Sequence, residues 1–234
     1  MSFIVLGVGE QYSMRMQRVL EPEVMDTAEE AATYDAMDHS AVNNSFISRL
    51  KSLGVAGLCL DIGCGPGHIP LQLVNECPEV DVVAMDLSKH MLLTALEHQK
   101  QCVNGDQVEF VHADAKGVGA EDNTYDSVFS NSILHHIPQP IDFLSEAWRV
   151  LRPGGMLLIR DLFRPESEAR ARELVELHAG DETRHAKDLF YASLCAALRP
   201  DELEALAKEI GISKYKIITD SDRHMSLQIK AKAY

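Results

Sequence analysis

Apolar and polar positions change rhythm at residue 57. Before it the chain is mixed and polar, with helical spacing only late on, where Val42, Phe46, Leu50 and Leu53 fall near one face. From Gly57 short apolar runs alternate with amphipathic stretches. The runs at 57–62, 80–86, 107–112, 125–130 and 156–161 read as strands, and 69–76, 88–101 and 140–150 read as the helices between them. Strands separated by helices of this size predict a parallel, doubly wound α/β sheet.

The tail follows another pattern. Residues 166–198 are charged and helical throughout. In "RPDELEALAKEIGI", Pro200 sits early, Leu203, Leu206 and Ile210 share a face, and Gly211 closes the helix. The strand-like runs "KYKIIT" and "HMSLQIKA" are joined by "DSDR", a link short enough for an antiparallel hairpin and too short for a parallel crossover. There is no internal repeat or linker, so residues 1–234 read as one domain with helical additions.

Composition narrows the partners. Lys plus Arg number 22 and Asp plus Glu 36, a net charge of −14. Such a surface repels nucleic-acid backbones and anionic membranes, and no dense basic patch offsets it. No apolar stretch has the length of a membrane helix, and "MSFIVLGVGE" lacks the pattern of a signal peptide. Five cysteines (59, 64, 77, 102 and 195) form no CxxC pair, which points to reduced thiols in a cytoplasmic protein and away from a zinc site.

The chemistry concentrates in "LCLDIGCGPGHIPLQL", residues 58–73, where an apolar run stops at an acid and a glycine-rich turn opens a helix. Glycine at 63, 65 and 67 lets the backbone turn sharply and lets a ligand approach the main chain. A helix starting near His68 aims its free N–H groups at that ligand. A dinucleotide fold spaces its glycines G-x-G-x-x-G, whereas here they fall G-x-G-x-G. The second run ends in Asp86, placed to take the two hydroxyls of a ribose, a feature both kinds of site share. The rival "GVGEQ" at 7–11 lacks a third glycine and an acid at the correct distance, and reads as a loop or short strand.

The ordered series "LDIGCGPG", "VVAMDLS", "FVHADA", "YDSVFSNSILHHI" and "WRVLRPGGMLLIRD" resembles class I S-adenosylmethionine-dependent methyltransferases over about residues 30–231. Within them it is most similar to the small-molecule branch that includes the quinone-biosynthesis enzymes. The resemblance implies a seven-stranded sheet in the order 3-2-1-4-5-7-6 with the last strand antiparallel. Residues 10–50 and 166–198 would form a helical cap over its carboxyl edge. By the same resemblance, Asp61 and the Gly63–Gly67 turn, with Cys64 in it, would hold the methionine moiety of S-adenosylmethionine, Asp86 the ribose, and Leu87 the adenine face. Asp114, beside Ala115, would accept from the adenine amino group; Ser130 and Asn131 would lie near the methionine part; Tyr34 would close over the cofactor.

The acceptor side is read from topology. His135 and His136 follow the fourth strand at the edge where such sheets build their crevice, so His135 is the candidate base and His136 a candidate substrate contact. The loop after the fifth strand brings Arg160, Asp161 and Arg164 to the same edge, and the final hairpin brings Arg223 and His224, suited to an acidic acceptor. The Asn/Asp-Pro-Pro-aromatic signature of amino-group methyltransferases is absent, as are the pyrimidine-C5 cysteine, the paired glutamates of arginine methyltransferases and a catechol-type magnesium set. The expected reaction is transfer of a methyl group to a small organic acceptor, without a metal. The alternatives are a cofactor-binding protein without transferase activity, and a nucleic-acid or protein methyltransferase.

Overall fold

The computed structural model describes residues 15–21 and 26–232. The rival glycine pair at 7–11 lies outside the described residues. The strands are β1 (Leu58–Ile62), β2 (Asp81–Asp86), β3 (Val108–His112), β4 (Tyr125–Asn131), β5 (Leu151–Leu162), β6 (Lys216–Thr219) and β7 (His224–Ile229). They form one seven-stranded sheet in the order β3-β2-β1-β4-β5-β7-β6. The pairs from β3 to β5 are parallel, while β7 runs antiparallel to both β5 and β6. The helices are α1 (Ala28–Asp35), α2 (Ser40–Leu53), α3 (His68–Glu76), α4 (Lys89–Gln99), α5 (Pro140–Val150), α6 (Glu168–Ala179), α7 (Arg184–Ala196) and α8 (Pro200–Glu209).

Alternate residues of each central strand enter different cores. Leu60, Ile62, Val128, Leu157 and Ile159 pack with Phe143, Leu144 and Ala147 of α5 and Leu203 of α8. Cys59, Phe129, Met156 and Leu158 pack instead with Phe46 and Leu50 of α2 and Leu73 and Val74 of α3. A sheet covered on both faces explains why these strands read as continuous apolar runs. It also fixes register, because a one-residue slip would exchange the two cores.

The expected helix over 10–50 is broken into α1 and α2, and residues 15–21 are an extended strap. Tertiary hydrogen bonds explain the difference. Val19 N–H donates to Cys195 O at 3.1 Å and Met16 N–H to Glu166 O at 3.5 Å. The Arg18 guanidinium donates to the carbonyls of Ala196 (2.6 Å) and Ile137 (2.9 Å) and, at 3.3 Å, to those of His135 and Pro138. Such bonds override a helical preference worth only about 0–0.7 kcal/mol per residue. Met16 joins Leu162, Leu174 and Leu194 in a small third cluster under α6 and α7. No helix of the described residues is long and apolar enough to cross a membrane.

Candidate functional site

At the end of β1 the chain turns through Gly63–Gly67 into α3. The N–H groups of Gly63 and Cys64 donate to Met85 O at 2.8 and 2.9 Å, stitching the turn to β2. Gly65 N–H donates to Asp86 Oδ2 and Ser88 N–H to Asp86 Oδ1, both at 2.8 Å, so the carboxylate is held in one orientation. Gly65 has φ +53°, and a Cβ there would meet only the Tyr34 ring, 4.0 Å away. Gly67 caps α3 at φ +80° for a different reason: a Cβ would come within 2.8 Å of Phe110 Cζ.

A cavity of about 380 Å³ opens over this turn, of the size that holds a small ligand. Tyr34, Gly63, Cys64, Gly65, Asp86, Leu87, Asp114, Ala115, Asn131, His135, His136, Arg223 and His224 line it, bringing together most of the positions expected from sequence. Others sit behind the wall. Asp61 and Ser130 are buried, and the Ser130 hydroxyl donates to Ile62 O at 2.7 Å. Gly67 supports the turn without reaching the cavity. Strand alternation sends Arg160 toward α2, where it donates to Val42 O at 3.4 Å, and Asp161 to the opposite face against His135. Arg164 is held by Met16 O, Ala197 O and Glu202.

Glu21, His39, Ser132, Phe190 and Ser193 were not expected at this site. His39 stacks on Tyr34 with ring centroids 4.5 Å apart. Phe190 and Ser193 of α7 form part of the wall, and Ser193 Oγ donates to Glu21 Oε2 at 3.2 Å. Ser132 takes φ +62°, a costly conformation for a residue with a side chain, at the turn leaving β4. The signal available for it was its place directly after a strand at the ligand edge.

The acceptor end carries a buried histidine pair. His135 Nδ1 donates to Asp161 Oδ1, while the His135 backbone N–H donates to Asp161 Oδ2 at 3.1 Å. His135 Nε2 lies 3.5 Å and His136 Nδ1 3.2 Å from Glu21 Oε1. Burial works against a charge on His135, but Asp161 and then Glu21 outweigh it and hold its pKa above the ordinary histidine range. Burial likewise opposes the Asp161 carboxylate, and His135 overcomes it, keeping that acid below its usual value. The two directions agree on an ion pair. His224 is pushed down to about 3 by burial and by Arg160 and Arg223, so it stands neutral on the wall.

The donor end fits a ligand that offers hydrogen-bond donors. Asp61 Oδ2 and Asn131 Oδ1 are buried acceptors without a hydrogen-bond partner. Burial first, and then the charge of Asp86, raise the Asp61 pKa well above the carboxylate range, which a cationic amino group nearby would reverse. An open turn, two orphaned acceptors and an oriented Asp86 suit the amino-acid and ribose parts of S-adenosylmethionine.

Residues 60–159 match a family described as a methyltransferase domain. The chain is 32% identical over 188 residues to malonyl-[acyl-carrier protein] O-methyltransferase of Hahella chejuensis, covering 75% of this chain and 63% of that protein. To demethylmenaquinone methyltransferase of Bacillus cytotoxicus it is 29% identical, covering 64% of this chain and 66% of the relative. The chain thus spans somewhat less than two thirds of the length of either relative. The crystal structure of an S-adenosylmethionine-dependent methyltransferase from Aquifex aeolicus superposes with a TM-score of 0.67 at 19% identity, covering 87% of this chain and 98% of that one. In strand order, in the glycine turn and in these relatives, the chain is similar to class I S-adenosylmethionine-dependent methyltransferases.

Proposed function

We propose that this protein is a single-domain enzyme that transfers a methyl group from S-adenosylmethionine to a small organic acceptor. The observation that carries the reading is one cavity joining the Gly65–Asp86 turn to the buried His135–Asp161 pair. S-adenosylmethionine supplies an electrophilic methyl group on sulfur and leaves as S-adenosylhomocysteine. Asp61 and Asn131 hold the methionine moiety, Asp86 takes the ribose hydroxyls, and Leu87 with Asp114 borders the adenine. Tyr34, the strap and α7 cover the crevice and keep water out, so that catalysis rests mainly on alignment. Where the acceptor must lose a proton, His135 Nε2 takes it while Asp161 holds the ring through Nδ1. Arg223, the one lysine or arginine on the cavity wall among the described residues, faces an acidic group of the acceptor.

The test is calorimetric titration with S-adenosylhomocysteine. Wild type should bind it, and Asp86→Ala should weaken binding roughly tenfold to a hundredfold, since an unpaired buried polar group costs about 1–3 kcal/mol. Binding of a nicotinamide dinucleotide in its place, or an Asp86→Ala protein that folds and binds normally, overturns the assignment.

A further inference from the structure

Three side chains converge beside the glycine turn, one of which, His68, also lines the cavity. They are Asp35 at the end of α1, His68 at the start of α3 and His98 near the end of α4. His68 Nε2 lies 2.9 Å from Asp35 Oδ1, and His98 Nε2 lies 3.3 Å from Asp35 Oδ2. The two imidazoles stack with centroids 4.9 Å apart, and all three potential ligand atoms fall within 4.8 Å of one another.

The hydrogen bonding makes this more than a crowded surface. His98 Nδ1 is 2.9 Å from Pro66 O. A carbonyl only accepts, so Nδ1 carries the ring proton. His98 Nε2 is then the ring atom that faces the Asp35 carboxylate. Asp35 Oδ1 is buried and faces His68 Nε2.

Two imidazole nitrogens and a carboxylate thus converge on one point, as the ligands of a cation do. Zinc bonds of about 2.0–2.2 Å in a tetrahedral shell set ligand atoms roughly 3.3–3.6 Å apart. Here the imidazole–carboxylate spacings are 2.9 and 3.3 Å and all three ligand atoms lie within 4.8 Å, so small shifts would close the shell. A ring N–H given to a backbone carbonyl is also the usual support of a metal-ligating histidine. We propose that Asp35, His68 and His98 bind one divalent transition-metal ion of the zinc class, which two imidazoles and a carboxylate suit. The ion ties the end of α1, and with it Tyr34, to the glycine turn. This clasp departs from the metal-free expectation drawn from sequence, and it does not depend on methyl transfer.

Zinc uptake by the chelator-stripped full chain tests it, followed by dye competition and by the visible spectrum of the cobalt(II) form. Wild type should take up a single equivalent, with the intense bands of tetrahedral cobalt and a raised Tm. His68→Ala and His98→Ala should each weaken binding by more than the about 10–100-fold that loss of a supporting partner costs. Asp35→Asn, which keeps the side-chain shape, provides a third variant should a histidine variant fail to fold. The other cluster able to offer three ligands among the described residues is Glu21, His135 and His136, so Glu21→Gln serves as the control and should bind as wild type does. No uptake by wild type at micromolar free zinc overturns the proposal. So does uptake that Glu21→Gln abolishes and the Asp35, His68 and His98 variants keep.

Discussion

His135 and Asp161 form a buried charge pair whose state bears on chemistry and stability together. A histidine whose pKa is raised in the fold keeps its proton to higher pH than a free one, whereas a base must be neutral. Turnover should therefore rise with pH through that raised pKa, above the ordinary value of about 6.5. Stability runs the other way: the His135 contribution is full below about pH 6.5 and is lost as pH rises through the folded pKa. The Asp161 carboxylate, held low, contributes above about pH 3.9 and is lost as pH falls through its depressed value. Asp161→Asn should move the rising limb of the pH–rate profile toward lower pH. It should also destabilise by about 3–5 kcal/mol, the usual cost of breaking a buried pair. His135→Ala should lower turnover about 10²–10⁴-fold with S-adenosylhomocysteine binding kept. Unchanged turnover would assign His135 to the structure alone.

At the level of elements, much was legible because local rules and global fold agree. β2 and β3 each begin one residue after their apolar runs, and α5 spans the expected residues 140–150. Where reading failed, longer-range pairing decided. β5 begins at Leu151, ahead of the expected 156, because Leu151 pairs with Tyr125 across a register irregularity. The strap is extended because its donors are taken by carbonyls far along the chain. Arg160 and Asp161 were expected together at the crevice, but adjacent strand residues point to opposite faces. Asp35, His68 and His98 stand on three separate helices, so no ligand spacing announced them. The glycine turn was read correctly as a group, yet its members do different work, which two substitutions should separate. Gly67→Ala drives a methyl into Phe110 and Ala95 at positive φ, and should cost more than the about 1–2 kcal/mol of the left-handed backbone alone. At about 2–4 °C per kcal/mol its Tm should fall by at least several degrees. Gly65→Ala meets only open cavity, so it should pay the backbone cost alone while losing most S-adenosylhomocysteine affinity. Equal melting and binding losses in the two variants would contradict the division.

For the whole molecule, charge and the size of the cavity bear on the proposed acceptor. The chain carries a net charge of −14, which opposes approach of a nucleic-acid backbone. The cavity, of about 380 Å³, is lined by Tyr34 and by Phe190 and Ser193 of α7, a size that suits a small molecule. Its wall nevertheless includes one guanidinium, Arg223, beside a histidine kept neutral by burial. A small acceptor bearing a carboxylate or phosphate is the partner this contrast favours. An S-adenosylhomocysteine-release screen over small organic acids, neutral metabolites, RNA and protein should find turnover confined to small molecules and strongest with the acids. Arg223 already donates to His178 and Asp222, so its charge is held in place before any acceptor arrives. Arg223→Gln should then raise KM for an acidic acceptor about 10-fold or more, as loss of a charged hydrogen bond worth about 1.5–3 kcal/mol requires, with cofactor affinity unchanged. Turnover confined to RNA or protein would sink the small-acceptor reading, and equal KM for acidic and neutral acceptors in both proteins would remove Arg223 from recognition.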